Sequence, residues 1–138
     1  MNATPDLELK LPARAENVAV VRHAFGGFAE AISVDEQTLA DIKLAITEAC
    51  TNVVIHAYDE GVSGVLEVDA SLDDDDRRLM VIIRDRGRGI VPRPDSPGLG
   101  LGLPLIATLA ASLELGKDEH ENTEVRMIFA LDANGELL

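Results

Sequence analysis

Three short blocks in this sequence carry residue types suited to nucleotide chemistry. In Glu48-Ala-Cys-Thr-Asn52 a carboxylate and a side-chain amide stand four residues apart. On a helix that spacing puts both on one face. There a carboxylate and an amide oxygen can hold Mg2+ or position a water or hydroxyl. The plain alternative is a solvated polar stripe. The second block, Asp85-Arg-Gly-Arg-Gly-Ile90, follows an apolar run directly. A carboxylate at a strand end can accept a hydrogen bond from an adenine amino group, and Gly87 and Gly89 let the backbone turn sharply toward a flat base. An ordinary tight turn would read the same way. The third block, Gly98-Leu-Gly-Leu-Gly-Leu103, precedes Pro104. Glycines that open a helix expose backbone N–H groups to a phosphate chain, and the helix dipole favours the anion. No GKS or GKT follows, as a P-loop would need, and no βαβ unit surrounds the block, as a Rossmann site would need.

The elements that must position these blocks follow from periodicity. Leu7, Leu9 and Leu11 alternate with polar residues up to Pro12, which predicts a first strand. Glu16 to Ile32 carries Val18, Val21, Phe25, Phe28 and Ile32 at helical spacing, with Gly26 and Gly27 in its middle. A second helix is predicted from Ser33 or Asp35, either of which can cap it, to about Tyr58. Val65 to Leu72 alternates as a strand, the acidic run Asp73 to Asp76 makes a solvated hairpin connection, and Leu79 to Ile83 reads as a central strand. Arg84 to Leu103 is rich in Gly and Pro and is expected to be an irregular loop. Pro104 to about Ala111 is a helix, Leu113 and Leu115 mark a short strand, and Val125 to Leu131 is the last strand. The expected fold class is α/β (α+β): a two-layer sandwich with helices on one face of a mixed, largely antiparallel sheet.

A chain of 138 residues is about one domain, so residues 1–138 are read as a single unit. The net charge of −13 argues against nucleic acid and anionic membrane surfaces as partners, because phosphates require clustered Lys and Arg. No apolar run reaches the ~18 residues of a membrane helix, and the N-terminus lacks the pattern of a secretion signal. The expectation is a cytoplasmic protein. Cys50 is the single cysteine, so no intrachain disulfide forms. His23, His56 and His120 have no metal-ligand spacing.

Taken together and in this order, the three blocks resemble the N, G1 and G2 boxes of the GHKL ATPase superfamily, which includes DNA gyrase and the histidine kinases. Within it, Ile46 to Glu60 (ITEACTNVVIHAYDE) is similar to the bacterial anti-sigma-factor serine kinases. The resemblance covers nearly the whole chain. It implies the Bergerat ATP-binding fold, with ATP and Mg2+ as ligands. By that resemblance Asn52 ligates Mg2+ and Glu48 is the general base for a protein serine hydroxyl. Asp85 binds the adenine amino group, with Gly87 and Gly89 shaping its pocket. Gly98, Gly100, Leu101, Gly102 and Leu103 face the phosphates, and Thr123, just before the last strand, supports adenine through water. His56, one turn beyond Asn52, is assigned to packing. Kinases of this type carry an arginine just before the G2 glycines. Here Asp95-Ser-Pro-Gly98 has none, and Arg93 is the nearest arginine in the loop and the expected catalytic substitute. The implied partners are a STAS-type anti-anti-sigma protein, a sigma factor and a second copy in a homodimer. Two other functions stand beside the kinase: a nucleotide-dependent protein-binding switch of weak or no activity, and a detached histidine-kinase catalytic domain. The last is disfavoured by the lack of a phospho-acceptor helix pair.

Overall fold

The computed structural model describes residues 4–59, 61–87 and 102–131. A strand β1 (Leu7–Pro12) leads into helices α1 (Ala15–Ile32) and α2 (Glu36–Asn52), and a π-helical turn, Val53–Ala57, continues α2. Strands β2 (Val65–Asp73) and β3 (Arg78–Asp85) form a hairpin, then α3 (Gly102–Leu109), β4 (Ser112–Lys117) and β5 (Thr123–Ala130) complete the fold. The sheet order is β1-β2-β3-β5-β4. All its pairings are antiparallel, so the largely antiparallel sheet expected from the sequence contains no parallel pair among the described residues.

Strict alternation assigns the two faces of the sheet. Leu66, Val68 and Ala70 on β2, Leu79, Val81 and Ile83 on β3, and Val125, Met127 and Phe129 on β5 are buried beneath the helices. The helices contribute Val18, Val21 and Phe25 from α1, Ile42, Ala45, Ile46, Ala49 and Cys50 from α2, and Ile106 from α3. Burying a side chain such as Phe25 or Ile42 contributes about 1.5–3 kcal/mol. These residues form one core in a two-layer arrangement, helices on one face.

The outward face carries Met80, Ile82 and Ile128 beside charged residues, and its strands are tied by charge. Arg84 Nη1 donates to Asp69 Oδ2 on β2 and Arg84 Nε donates to Glu124 Oε2 on β5, both at 2.6 Å. Burial opposes the guanidinium charge, and the two carboxylates outweigh it, so the Arg84 pKa rises above its ordinary value.

Helix boundaries have local causes. Asp35, not Ser33, caps α2: its Oδ1 accepts the Thr38 N–H at 2.7 Å and its Oδ2 the Thr38 hydroxyl at 3.0 Å. Ser33 instead ends α1 with a left-handed φ of 60°. Arg77, at the tip of the β2–β3 hairpin, donates to the carbonyls of Ile32 and Ser33 at 3.3 Å, which satisfies orphan acceptors at the α1 terminus. The expected helix to Tyr58 is α-helical only to Asn52. There the Val53 N–H donates to both Ala49 O and Cys50 O, and the last turn widens. Helix α3 starts at Gly102 rather than Pro104 and ends at Leu109 rather than Ala111. Pro104 thus occupies the first turn, where its missing N–H has no intrahelical acceptor.

Candidate active site

The strand alternation that buries the core also delivers a carboxylate into it. Asp85 is the last residue of β3 and falls on the inward positions shared by Leu79, Val81 and Ile83. It is 2% exposed. Its Oδ1 accepts the Gly87 N–H at 3.0 Å, so the turn that follows the strand orients the carboxylate. A buried carboxylate needs such donors to remain charged. Directly across the ladder from Asp85 stands Thr123, the first residue of β5. The sequence reading put Thr123 before that strand; pairing with β3 extends β5 to include it. Asp85 and Thr123 therefore meet side by side on the inward face at one end of the sheet.

The C-terminal part of α2 continues into the π turn whose last residue, Ala57, packs on Gly87 just after Asp85. Glu48 and Asn52 are both half-buried in this part of α2. Asn52 is the last α-helical residue before the π turn, a kind of irregularity frequent at functional sites. Its side chain lies against the start of α3: a Cβ built on Gly102 would come within 2.5 Å of Asn52 Nδ2 and 3.2 Å of Oδ1. Gly102 is thus a space requirement of the Asn52 amide. Leu103, the next residue, packs against the core and anchors α3.

Gly87 is equally constrained. A Cβ there would overlap the carbonyl oxygen of Ala57, at the end of the π turn, and stand 2.9 Å from Tyr58 Cδ1. The turn after β3 is therefore packed against the segment that ends α2. A cleft of about 700 Å3 opens beside this contact, lined by residues including Ala57, Tyr58, Val62, Ser63, Arg86 and Gly87. It shares Gly87 with the Asp85 turn but lies on the side of the β2 entry. Asp85 and Thr123 are paired across the ladder, and Asn52 lies against Gly102 at the start of α3.

Of the residues singled out in the sequence, Glu48, Asn52, Asp85, Gly87, Gly102, Leu103 and Thr123 fall within the described structure. Gly89, Arg93, Gly98, Gly100 and Leu101 lie outside the described residues. Cys50, between Glu48 and Asn52, faces the core, and burial pushes its thiol up to about 12, so it is a packed neutral side chain at pH 7. The residue that sequence reasoning missed is Tyr58. Its hydroxyl joins three backbone groups. The available signal was that it is the only tyrosine in the chain, placed just where the helix ends.

These residues fit a magnesium nucleotide. Asp85 offers an acceptor from an apolar floor, as an exocyclic amino group requires, and Asn52 offers an amide oxygen. No group of three His, Cys, Asp or Glu side chains suited to a metal occurs among the described residues. Mg2+ bound mainly through phosphates and water needs only one or two protein ligands. Among the described residues no helix is long and apolar enough to cross a membrane.

Comparison with known proteins identifies the family of the chain. The family described as the histidine kinase-like ATPase domain matches residues 11–129. The serine-protein kinase RsbW of Halalkalibacterium halodurans is 37% identical over 127 residues, covering 81% of this chain and 76% of the relative. RsbW of Bacillus cereus is 36% identical over 128 residues, covering 82% and 78%. Among solved structures, the RsbU and RsbW domains of Rv1364c from Mycobacterium tuberculosis align with a TM-score of 0.70 at 25% identity. That match covers 92% of this chain and 33% of the other, so the chain spans about a third of the length of the chain in that structure.

Proposed function

We propose that this chain, which belongs to the histidine kinase-like ATPase domain family and within it to the RsbW serine-protein kinases, is an ATP-dependent anti-sigma regulatory factor. It phosphorylates a serine of a STAS-type anti-anti-sigma partner and sequesters a sigma factor. The observation that carries this reading is the meeting of Asp85 and Thr123 at one sheet end, with Asn52 held against the first residue of α3.

On this reading Asp85 accepts the adenine amino group, and Thr123 supports the base beside it. Asn52 holds Mg2+, which neutralises phosphate charge when bound. Gly102 and Leu103 begin the helix whose N-terminus meets the phosphates, together with Gly98, Gly100 and Leu101, and Gly89 completes the base pocket with Gly87. Glu48, one turn before Asn52 on the same face, takes the proton of the partner's serine hydroxyl. The serine oxygen then bonds to the terminal phosphorus as the bond to ADP breaks. Arg93 supplies the positive charge for the transferred group. The protein acts in the cytoplasm as a homodimer. Val20, an apolar side chain 45% exposed on α1, is available to a second copy.

Incubation with labelled ATP, Mg2+ and a STAS protein tests the reading: label on the partner's serine supports it, and ATP binding without transfer overturns the kinase assignment. That second outcome is the nucleotide-dependent switch, which the lack of an arginine in Asp95–Gly98 favours.

A further inference from the structure

The hairpin of β2 and β3 ends in an arrangement that the proposed ATP reading does not use. The backbone ladder closes at Leu66 opposite Asp85. One step further, Val65 and Arg86 would face each other. In place of a direct pair, both are joined to the hydroxyl of Tyr58. That hydroxyl donates to Val65 O at 2.7 Å and accepts from Val65 N at 3.1 Å and from Arg86 N at 2.9 Å. A phenol oxygen has one proton and two lone pairs, so its capacity is filled. The ring is wedged as well: a Cβ on Gly64 would overlap it, and a Cβ on Gly87 would press on Cδ1 at 2.9 Å.

Tyr58 directly follows the π turn that continues the helix of Glu48 and Asn52. Its hydroxyl fixes the Arg86 backbone, the link between Asp85 and the Gly87 N–H that orients the Asp85 carboxylate. One side chain thus sets the spacing between the two halves of the site. We infer that Tyr58 is a positioning residue for the base pocket, acting through Arg86 and Gly87 on Asp85. The inference rests on the ATP reading above and names the residue that sets its base selectivity.

Tyr58→Phe keeps the ring and removes the three hydrogen bonds. Calorimetric titration with ATP and GTP is expected to show ATP affinity reduced about tenfold. The preference for ATP over GTP should shrink by a similar factor, and the magnesium dependence should remain. Leu113→Ala, a truncation of a half-buried β4 side chain packed on the core, should lower stability and leave the ATP/GTP ratio unchanged. A Tyr58→Phe protein with the wild-type ratio overturns the assignment while leaving the ATP reading intact. Wild-type protein that binds no nucleotide defeats the ATP reading instead. Amide exchange on the wild type tests the bridge without any variant. Val65 and Arg86 should exchange slowly, and rates typical of exposed loop amides would overturn it.

Discussion

The side-chain amide of Asn52 occupies the space that a Cβ on Gly102 would need, with Nδ2 only 2.5 Å from that position. The two residues come from different elements, the end of α2 and the start of α3. Because the obstructing atom is the tip of a side chain rather than backbone, Gly102→Ala can be accommodated by turning Asn52 away. The fold should survive, since alanine favours a helix over glycine. The magnesium-dependent part of ATP affinity should fall about ten- to a hundredfold. Calorimetry with and without Mg2+ checks this, and an unchanged magnesium response would show that Asn52 does not touch the metal.

Gly87 presents the opposite case. Its neighbour is the carbonyl oxygen of Ala57, and backbone cannot rotate aside. Gly87→Ala should destabilise the protein by about 1–3 kcal/mol, read from the midpoint of urea unfolding, and should weaken ATP binding with it. Wild-type stability would mean that the turn after β3 does not pack on the π segment.

Asp85→Asn preserves shape and removes charge. The amide also presents an N–H2 group where an adenine amino group needs an acceptor. ATP affinity should drop at least about tenfold at unchanged secondary structure by circular dichroism. Equal affinity in the two proteins would remove Asp85 from the base pocket.

Glu48→Gln separates binding from chemistry. The expected result is unchanged ATP affinity with phosphoryl transfer to the partner serine reduced about 10²–10⁴-fold. Retention of full transfer in a single-turnover assay would assign the base elsewhere.

The Asp35 cap gives a pH signature. A backbone hydrogen bond from Thr38, and then the Thr38 hydroxyl, hold the Asp35 carboxyl below its ordinary value. A lowered folded-state pKa contributes stability above the unfolded value and loses it as pH falls through the folded value. Asp35→Ala should therefore melt below the wild type at pH 7, and the gap should close in acid. A gap that stays constant from neutral pH to well below the carboxylate range contradicts the cap.

Legibility in the sequence followed the range of the forces involved. Alternation in Val65 to Leu72 and the apolar run Leu79 to Ile83 reported their own burial, so the central hairpin was visible, and with it the strand end that carries Asp85. The spacing of Glu48 and Asn52 likewise needed only helix geometry. Boundaries set by distant partners were not legible. Thr123 joins β5 because β3 offers it a ladder position opposite Asp85, and no residue near Thr123 announces that. Helix α2 relaxes into a π turn at Val53, although the apolar spacing of Val53 and Ala57 still suits an α-helix. The sequence marks Tyr58 only as a helix end, because its partners are Val65 at the start of β2 and Arg86 in the turn after β3.

Adjacent residues on β3 point to opposite sides of the sheet, and this gives the Arg84 ion pairs a second meaning. A slip of one residue in strand pairing would turn Arg84 into the apolar core and Asp85 out to solvent. Arg84 bonds Asp69 on one neighbour and Glu124 on the other only when the three strands are aligned as observed. The charges on the outer surface therefore act as a proofreading mark for assembly. They penalise misaligned hairpins in which Asp85 would lose its inward, buried position.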